Sequence, residues 1–491
     1  MNYRREERDV DVQLGRRELL KAAAIGGAVV GTSTLAACAK ADSGATGASG
    51  GPLPTSTIGS SEVAPLQLFA SSDFNDEALF ALGGASSQVS EVGEMMRIAQ
   101  TINSRTGNPA DPGTDAFNAY FDVFGQWGDQ LQQLADQAGT AHPITRSNRL
   151  MRAATYSTQQ LFFVLGTSNG SREEQAYQVT QDRWAAAIKT FTPAVRQAQV
   201  PSEWGPLPVY FFPARGSGKK PTVIISSGSD GQNVESMQFG VTQGLERGYN
   251  VALYEGPGQM ELLFKRGIPF TPDWNKVVAP VLSWVKRQPE VGKVALIGVS
   301  FGGMLCASAA AKVSGLSAVV LEPAAYSMPK LWADSETVGI VQKTQSAPAP
   351  EKEKVQAEVN AGFLKKWPDM PRTAQFVLYK RGEIFSREVL EEARAGKPIS
   401  NYYGLVEQML KFDFEADYKQ IRIPTMLTSN QGDEFFATQS EEAFAFLTNV
   451  PASQKVLLKL TAAQGASLHD QPIGPQVAQE YIFDWLDDLL R

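Results

Sequence analysis

From Pro208 onward the chain alternates short β-branched runs with helical ones, and this alternation narrows the fold more than any other feature. "LPVYFFPARG", "TVIISSGSDG" and "NVALYEGPGQ" read as strands that end in glycine turns. "SMQFGVTQGLERG" and "VAPVLSWVKRQPEV" carry helical spacing; "KVALIG" is then a strand, "GGMLCASAAAKVSG" a helix and "LSAVVLEPAA" a strand. Such an order predicts a mostly parallel sheet with helices on both faces. It stops over residues 326–422, where "APAPEKEKVQAEV", "SREVLEEARAG" and "NYYGLVEQMLKF" are helical or proline-broken. It resumes over 423–491 with "IPTMLTSNQGDEFF", "QKVLLKLTAAQGASLHD" and a last helix, "PQVAQEYIFDWLDDLL". The sheet domain is therefore expected in two parts, 201–325 and 423–491, around a helical cap insertion.

Residues 66–200 read differently. "AFNAYFDVFGQWGDQLQQLADQAG" sets Phe117, Tyr120, Phe121, Phe124, Trp127, Leu131 and Leu134 at three- and four-residue steps, one face of a helix. "RSNRLMRAATYSTQQLFFVL" and "REEQAYQVTQDRWAAAIKTF" follow the same pattern. A helical N-terminal domain is expected, its aromatic stripes packing between helices.

The first 65 residues carry no fold signal. Arg16-Arg17 precede an apolar run rich in Ala and Gly, the pattern of a twin-arginine export signal. The run ends in "LAAC", which resembles a bacterial lipobox with Cys38 as the lipidated residue; cleavage after Ala39 is the rival reading. Residues 1–38 are read as a lipoprotein signal. Residues 39–65, mostly Gly, Ser, Thr, Ala and Pro, cannot bury enough apolar surface to offset their ordering entropy and are read as a flexible linker. The expected location is outside the bacterial cytoplasmic membrane, held to it by lipid alone, or otherwise secreted or periplasmic.

Bulk composition excludes some chemistry. A formal net charge of -7 gives no broad attraction for nucleic acid. Two cysteines, Cys38 and Cys306, cannot build a disulfide framework or a structural zinc site. No G-x-G-x-x-G opens a strand-helix unit and no His or Cys cluster exists, so neither a cofactor nor a metal is expected. Cys306 reads as a small buried hydrophobe.

The nucleophile candidate is Ser300 in "GVSFG", after a strand and before a helix, the setting a nucleophile elbow needs. Serine at its free pKa needs a neighbouring base. Of two histidines, His469 lies past the last strand, whereas His142 lies in the helical region and reads as a helix-start or surface residue. Asp433, at the end of the strand before it, is the chosen acid, with Glu434 and Glu322 as rivals. The oxyanion hole is expected from the backbone N–H of Phe301 and that of Ser229 or Asp230 in "SSGSDGQN". Asp230 reads equally as a pocket carboxylate or as an Asx-type turn residue, and Glu255 in "EGPGQME" is a further substrate-binding candidate.

"VIISSGSDGQNVESM", "GYNVALYEGPGQME", "KVALIGVSFGGML" and "GDEFFATQ" together resemble the α/β-hydrolases that include 2,6-dihydroxypseudooxynicotine hydrolase and the fungal hydrolases that shorten polyketide pigment precursors. "TRSNRLMRAATYS" is similar to their N-terminal domain. The resemblance implies an α/β-hydrolase fold, a homodimer, a Ser300–His469–Asp433 triad and hydrolysis of esters, lactones or C–C bonds beside carbonyls. It also sets Asp230 where one member has an acidic residue that holds substrate. The chain departs from that pattern at Glu255 and Met260, and in "GASLH" before the histidine. Two rival readings are a serine peptidase of the same fold, which would carry a β-propeller, and a non-catalytic lipid-anchored binding protein.

Overall fold

The structure is a computed structural model that describes residues 66–331, 336–436 and 438–491. The signal, Cys38 and the linker lie outside the described residues. Eight strands form one sheet: β1 (Arg196–Val200), β2 (Leu207–Phe212), β3 (Lys220–Ser226), β4 (Asn250–Tyr254), β5 (Val291–Val299), β6 (Ala318–Glu322), β7 (Thr425–Asn430) and β8 (Lys455–Leu460). Their order is β1-β2-β4-β3-β5-β6-β7-β8. β1 and β2 run antiparallel at one edge, and β3 to β8 are parallel. β4, β6 and β7 are buried along their whole length, as expected of strands covered on both faces.

The boundary expected at residue 200 moves. Arg196–Val200, inside the stretch read as helical, is the edge strand β1. Its sequence RQAQV holds little apolar residue because alternate side chains face solvent; only pairing with β2 reveals it. The predicted helix in "SMQFGVTQGLERG" is also shorter than its spacing suggests. A 3-10 turn at Glu235–Met237 precedes a helix at Val241–Glu246.

Before the sheet stand the helices Ser72–Gly83, Val92–Thr106, Thr114–Ala138, Pro143–Phe163 and Glu173–Ile188. Phe117, Tyr120, Phe121, Phe124 and Leu131 are buried on one face of Thr114–Ala138. Phe74, Tyr120 and Phe163 meet at ring separations of 4.6–4.9 Å. The segment between β6 and β7 is helical, and its helix Arg372–Glu383 joins this aromatic group through Phe376, 5.0 Å from Phe117 and 5.2 Å from Phe163. The Arg372 guanidinium donates to the carbonyls of Leu165, Gly166 and Thr167 at 2.7–3.0 Å. The insertion is thus anchored to the N-terminal helices, and both cover the C-terminal rim of the sheet, where ligands bind in this architecture. No helix among the described residues is long and apolar enough to cross a membrane.

Candidate active site

Ser300 sits between the end of β5 and the helix Phe301–Lys312 with φ 53 and ψ -125. A non-glycine residue there is strained, and the surroundings hold it. Its N–H donates to the Glu322 carbonyl at 2.8 Å, and its carbonyl accepts from Gly303 at 2.7 Å. The flanking glycines are needed for space. A Cβ on Gly302 would lie 2.5 Å from the Ser226 carbonyl oxygen and 2.6 Å from that of Ser227.

His469 comes to Ser300 from the loop after β8. Its Nε2 is 2.9 Å from Ser300 Oγ, and its Nδ1 is 3.1 Å from both Asp433 oxygens. Asp433 follows β7, and its Oδ1 also accepts from the N–H groups of Phe435 and Phe436 at 2.9 Å. These bonds fix the carboxylate, and the rings of Phe435 and Phe436 pack on the imidazole at 4.6 and 4.9 Å. Burial opposes charge on His469, but Asp470, Asp433 and the Asp433 hydrogen bond outweigh it and push the ring up to about 9.

The structure separates the rival acids. Glu322 is fully buried and its carboxylate accepts from Gln479 Nε2 at 3.1 and 3.3 Å. Glu434 is exposed. Neither bonds to His469 among the described residues. His142 is exposed at the start of the helix Pro143–Phe163. Cys306 is buried in the elbow helix, and burial pushes its thiol up to about 12.

The loop expected to supply the oxyanion hole runs against the nucleophile: a Cβ on Gly228 would lie 2.7 Å from Ser300 Cβ. Gln259 Nε2 braces this loop by donating to the carbonyls of Ser227 and Gly228 at 2.6 and 3.2 Å. Phe301, Ser229 and Asp230 line one cavity with Ser300 and His469. The cavity opens to solvent, with Phe162, Phe239, Phe385 and Met409 among its apolar walls.

Asp230 is neither a free pocket carboxylate nor a self-satisfied turn residue. Its Oδ2 pairs with the Arg381 guanidinium and accepts from Ser229 Oγ at 2.7 Å, and Lys380 Nζ stands 4.0 Å from Oδ1. Burial opposes ionisation of Asp230, but Arg381 and Lys380 hold its carboxyl below the usual range.

Glu255 requires a correction. It is fully buried and is absent from the residues lining the cavity. Its carboxylate accepts from Asn233 Nδ2 at 2.8 Å, the Glu261 N–H at 2.9 Å, Tyr210 at 3.1 Å and Tyr177 at 3.4 Å. Four donors occupy it, so it braces the "EGPGQME" turn and does not meet a ligand.

Among the cavity residues that sequence reasoning missed are Glu77 on the helix Ser72–Gly83, Arg381 on the insertion and Asp470. Nothing in spacing marks the first two, because their distance from Ser300 along the chain is large. Asp470, next to His469 in sequence, is only 5% exposed.

The sequence pattern of the X-Pro dipeptidyl-peptidase (S15) family matches residues 173–466, which take in Ser300 and Asp433. The chain belongs to that family. Within the S15 family it is a hydrolase of α/β-hydrolase fold. It is 25% identical over 416 residues to the α/β-hydrolase xenA of Xenoacremonium sinensis, covering 78% of this chain and 88% of that one. It is 29% identical over 260 residues to the 20-hydroxy-prefusarin hydrolase FUS2 of Gibberella moniliformis, covering 50% of this chain and 59% of FUS2. The chain thus spans about three fifths of the length of FUS2. The solved 2,6-dihydroxy-pseudo-oxynicotine hydrolase shares the fold with a TM-score of 0.53 at 19% identity, over 76% of this chain and 88% of that one. The S15 chain described here carries all eight strands in one sheet among its described residues, and helices stand where a propeller was expected of a peptidase.

Proposed function

We propose that the chain is an exported serine hydrolase that cleaves a small carbonyl compound: an ester, a lactone, or the C–C bond of a diketone-like substrate. Ser300 is the nucleophile, His469 the base and Asp433 the acid that orients the ring; no cofactor takes part. One observation carries this reading: a continuous line of contacts from Ser300 Oγ through both ring nitrogens of His469 to Asp433.

The chemistry follows from that line. Ser300 Oγ bonds to the substrate carbonyl carbon as its proton passes to His469 Nε2. The carbonyl electron pair moves to oxygen, which the N–H groups of Phe301 and of Ser229 or Asp230 receive. Collapse expels an alkoxide or a carbanion stabilised by a neighbouring carbonyl, and His469 returns the proton to it. Water, activated by the same histidine, releases the acyl group from Ser300.

The test is a screen of small esters, lactones and β-diketones with wild-type protein and Ser300→Ala in parallel, alongside fluorophosphonate labelling. Turnover and labelling are expected for wild type only. Equal turnover by Ser300→Ala sinks the triad, and failure to label folded wild type favours the non-catalytic binding protein.

The S15 family description favours a second reading, cleavage of a peptide bond after an X-Pro pair. X-Pro dipeptide amides in the same screen separate it from the first: efficient turnover of these, with none of esters or diketones, selects the peptidase. Arg16-Arg17 and Cys38 support export and lipid anchoring. Retention of unprocessed protein in the cytosol when both arginines become lysine is the expected check. Light scattering on the purified chain tests the homodimer.

A further inference from the structure

His469 is approached by two carboxylates, one at each ring nitrogen. Asp433 stands at Nδ1, as the triad requires. Asp470 stands at the other edge, its Oδ1 3.5 Å from Nε2. That edge also faces Ser300 Oγ at 2.9 Å. Asp470 is 5% exposed, lines the cavity, and its Oδ1 has no hydrogen-bond partner among the described residues. A buried carboxylate oxygen without a donor is costly and needs an account. The backbone is strained around it: Leu468, Asp470 and Gln471 have φ 70, 56 and 48, and none is glycine. Such strain persists where the surrounding structure over-determines it.

We propose that Asp470 is a positioning residue that shares the Nε2 edge of His469 with Ser300 and stabilises the charged ring that forms once Ser300 has given up its proton. The inference rests on the Ser300–His469–Asp433 reading above. When Oγ bonds to the carbonyl carbon, its proton sits on Nε2, and the N–H then points at a site flanked by two oxygens. Asp470 supplies negative charge on the side where Asp433 cannot reach. The proton leaves again with the leaving group, so Asp470 neither gains nor loses one in the cycle.

The electrostatics agree with the geometry. Other charged groups that influence the pair are Asp433 after β7, Glu322 at the end of β6, Arg381 on the insertion and Asp76 on the helix Ser72–Gly83. Burial pushes Asp470 up to about 7; His469 opposes the shift and Asp433 adds to it. His469 is pushed up to about 9, with Asp470 first among the groups that raise it. Between these values the ring is charged and Asp470 ionised, which is the pairing the geometry provides.

The chain has only two histidines, so ¹⁵N-histidine NMR reads His469 directly, and His142→Gln assigns it. The titration is done in wild type, Asp470→Asn and Asp470→Ser, and repeated in the Ser300→Ala background. The expected result is a His469 pKa well above 6.5 in wild type that falls by ~1 unit or more in either variant, about a tenfold change in the ring's proton equilibrium. The rising limb of kcat/KM should move down with it while the high-pH plateau falls. A merely structural role lowers activity at all pH values and leaves the limb in place. A wild-type value near 6.5, or one that moves less than ~0.3 unit in a folded variant, overturns the proposal. If neither variant folds, a wild-type value near 6.5 still overturns the proposal. Because the NMR value does not depend on turnover, failure of this inference is distinct from failure of the triad, which Ser300→Ala activity reports.

Discussion

Removing Arg381 should loosen the oxyanion loop and destabilise the whole fold. Arg381 belongs to the insertion, yet its guanidinium pairs with Asp230 beside the nucleophile. Both side chains are largely withdrawn from water, at 18% and 16% exposure. Arg381→Met therefore strands a buried carboxylate, a change that costs about 3–5 kcal/mol. Ser229 Oγ at 2.7 Å and Lys380 at 4.0 Å remain to share the charge, so the lower end of that range applies. With unfolding entropy of ~2 cal/mol/K per residue over roughly 400 ordered residues, ~3 kcal/mol lowers Tm by ~3–4 °C. Asp230, now held below the usual carboxylate range, should move up, because only Lys380 and Ser229 then oppose its burial. Activity should fall more than stability, since a misplaced oxyanion donor costs as much as ~10²-fold. Differential scanning calorimetry and ester hydrolysis on Arg381→Met, Asp230→Asn and the double variant test this. The double variant should recover much of the Tm lost by Arg381→Met, because the uncompensated charge is gone. Additive losses, or an Arg381→Met Tm within ~1 °C of wild type, would falsify the account.

Four further outcomes are expected. In wild type, kcat/KM should rise about tenfold per pH unit from neutrality toward a limb near 9, because only ~1% of His469 is the neutral base at pH 7; a limb at 6.5 refutes it. The same group sets a stability trend: its folded value is raised, so its contribution is fully present below about 6.5 and is lost as pH climbs through about 9, visible as a falling Tm across that window. Glu255→Gln should lose ~1–3 kcal/mol, since the amide N–H₂ replaces one carboxylate oxygen and meets the N–H donor that oxygen accepted from, Asn233 or Glu261, while KM stays unchanged; a large KM change in folded protein would restore a substrate role. Gly302→Ala should abolish activity or folding, because its Cβ meets two backbone carbonyls that cannot yield; a variant with wild-type Tm and kcat contradicts the elbow geometry.

What the sequence could disclose depended on how locally each feature is encoded. The elbow is local: strand, Gly298, Ser300, Gly302 and helix follow one another, so its shape was legible from a dozen residues. Asp433 and His469 were legible because strand ends place chemistry at one rim of a parallel sheet, and only two histidines compete. β1 was missed because an edge strand with one wet face has no apolar run to announce it. Arg381 was missed for a different reason. "YKRGE" on a helix reads as a solvated charged face, and only the fold turns Lys380 and Arg381 inward, where Glu383 and Asp230 neutralise them. Glu255 erred in the opposite direction: a carboxylate at a strand end looks like a ligand for substrate until its four donors are counted.

The same distinction explains where chemistry and selection reside. Ser300, His469 and Asp433 all stand on loops of the sheet, fixed by backbone bonds such as Ser300 N–H to Glu322 and Phe436 N–H to Asp433. The cavity's roof comes from elsewhere: Glu77, Phe80 and Phe162 from the N-terminal helices, and Arg381, Ile384 and Phe385 from the insertion. These two segments meet through Phe376 and Arg372, more than 200 residues from their partners in both cases. Contacts of that span leave no periodic trace in a sequence, whereas the sheet leaves one at every strand. A chain of this kind therefore declares its reaction type early and its substrate late. Substitutions that change which substrate is accepted belong in the helix Arg372–Glu383 and the helix Ser72–Gly83, where they can alter the roof without moving Ser300 from His469.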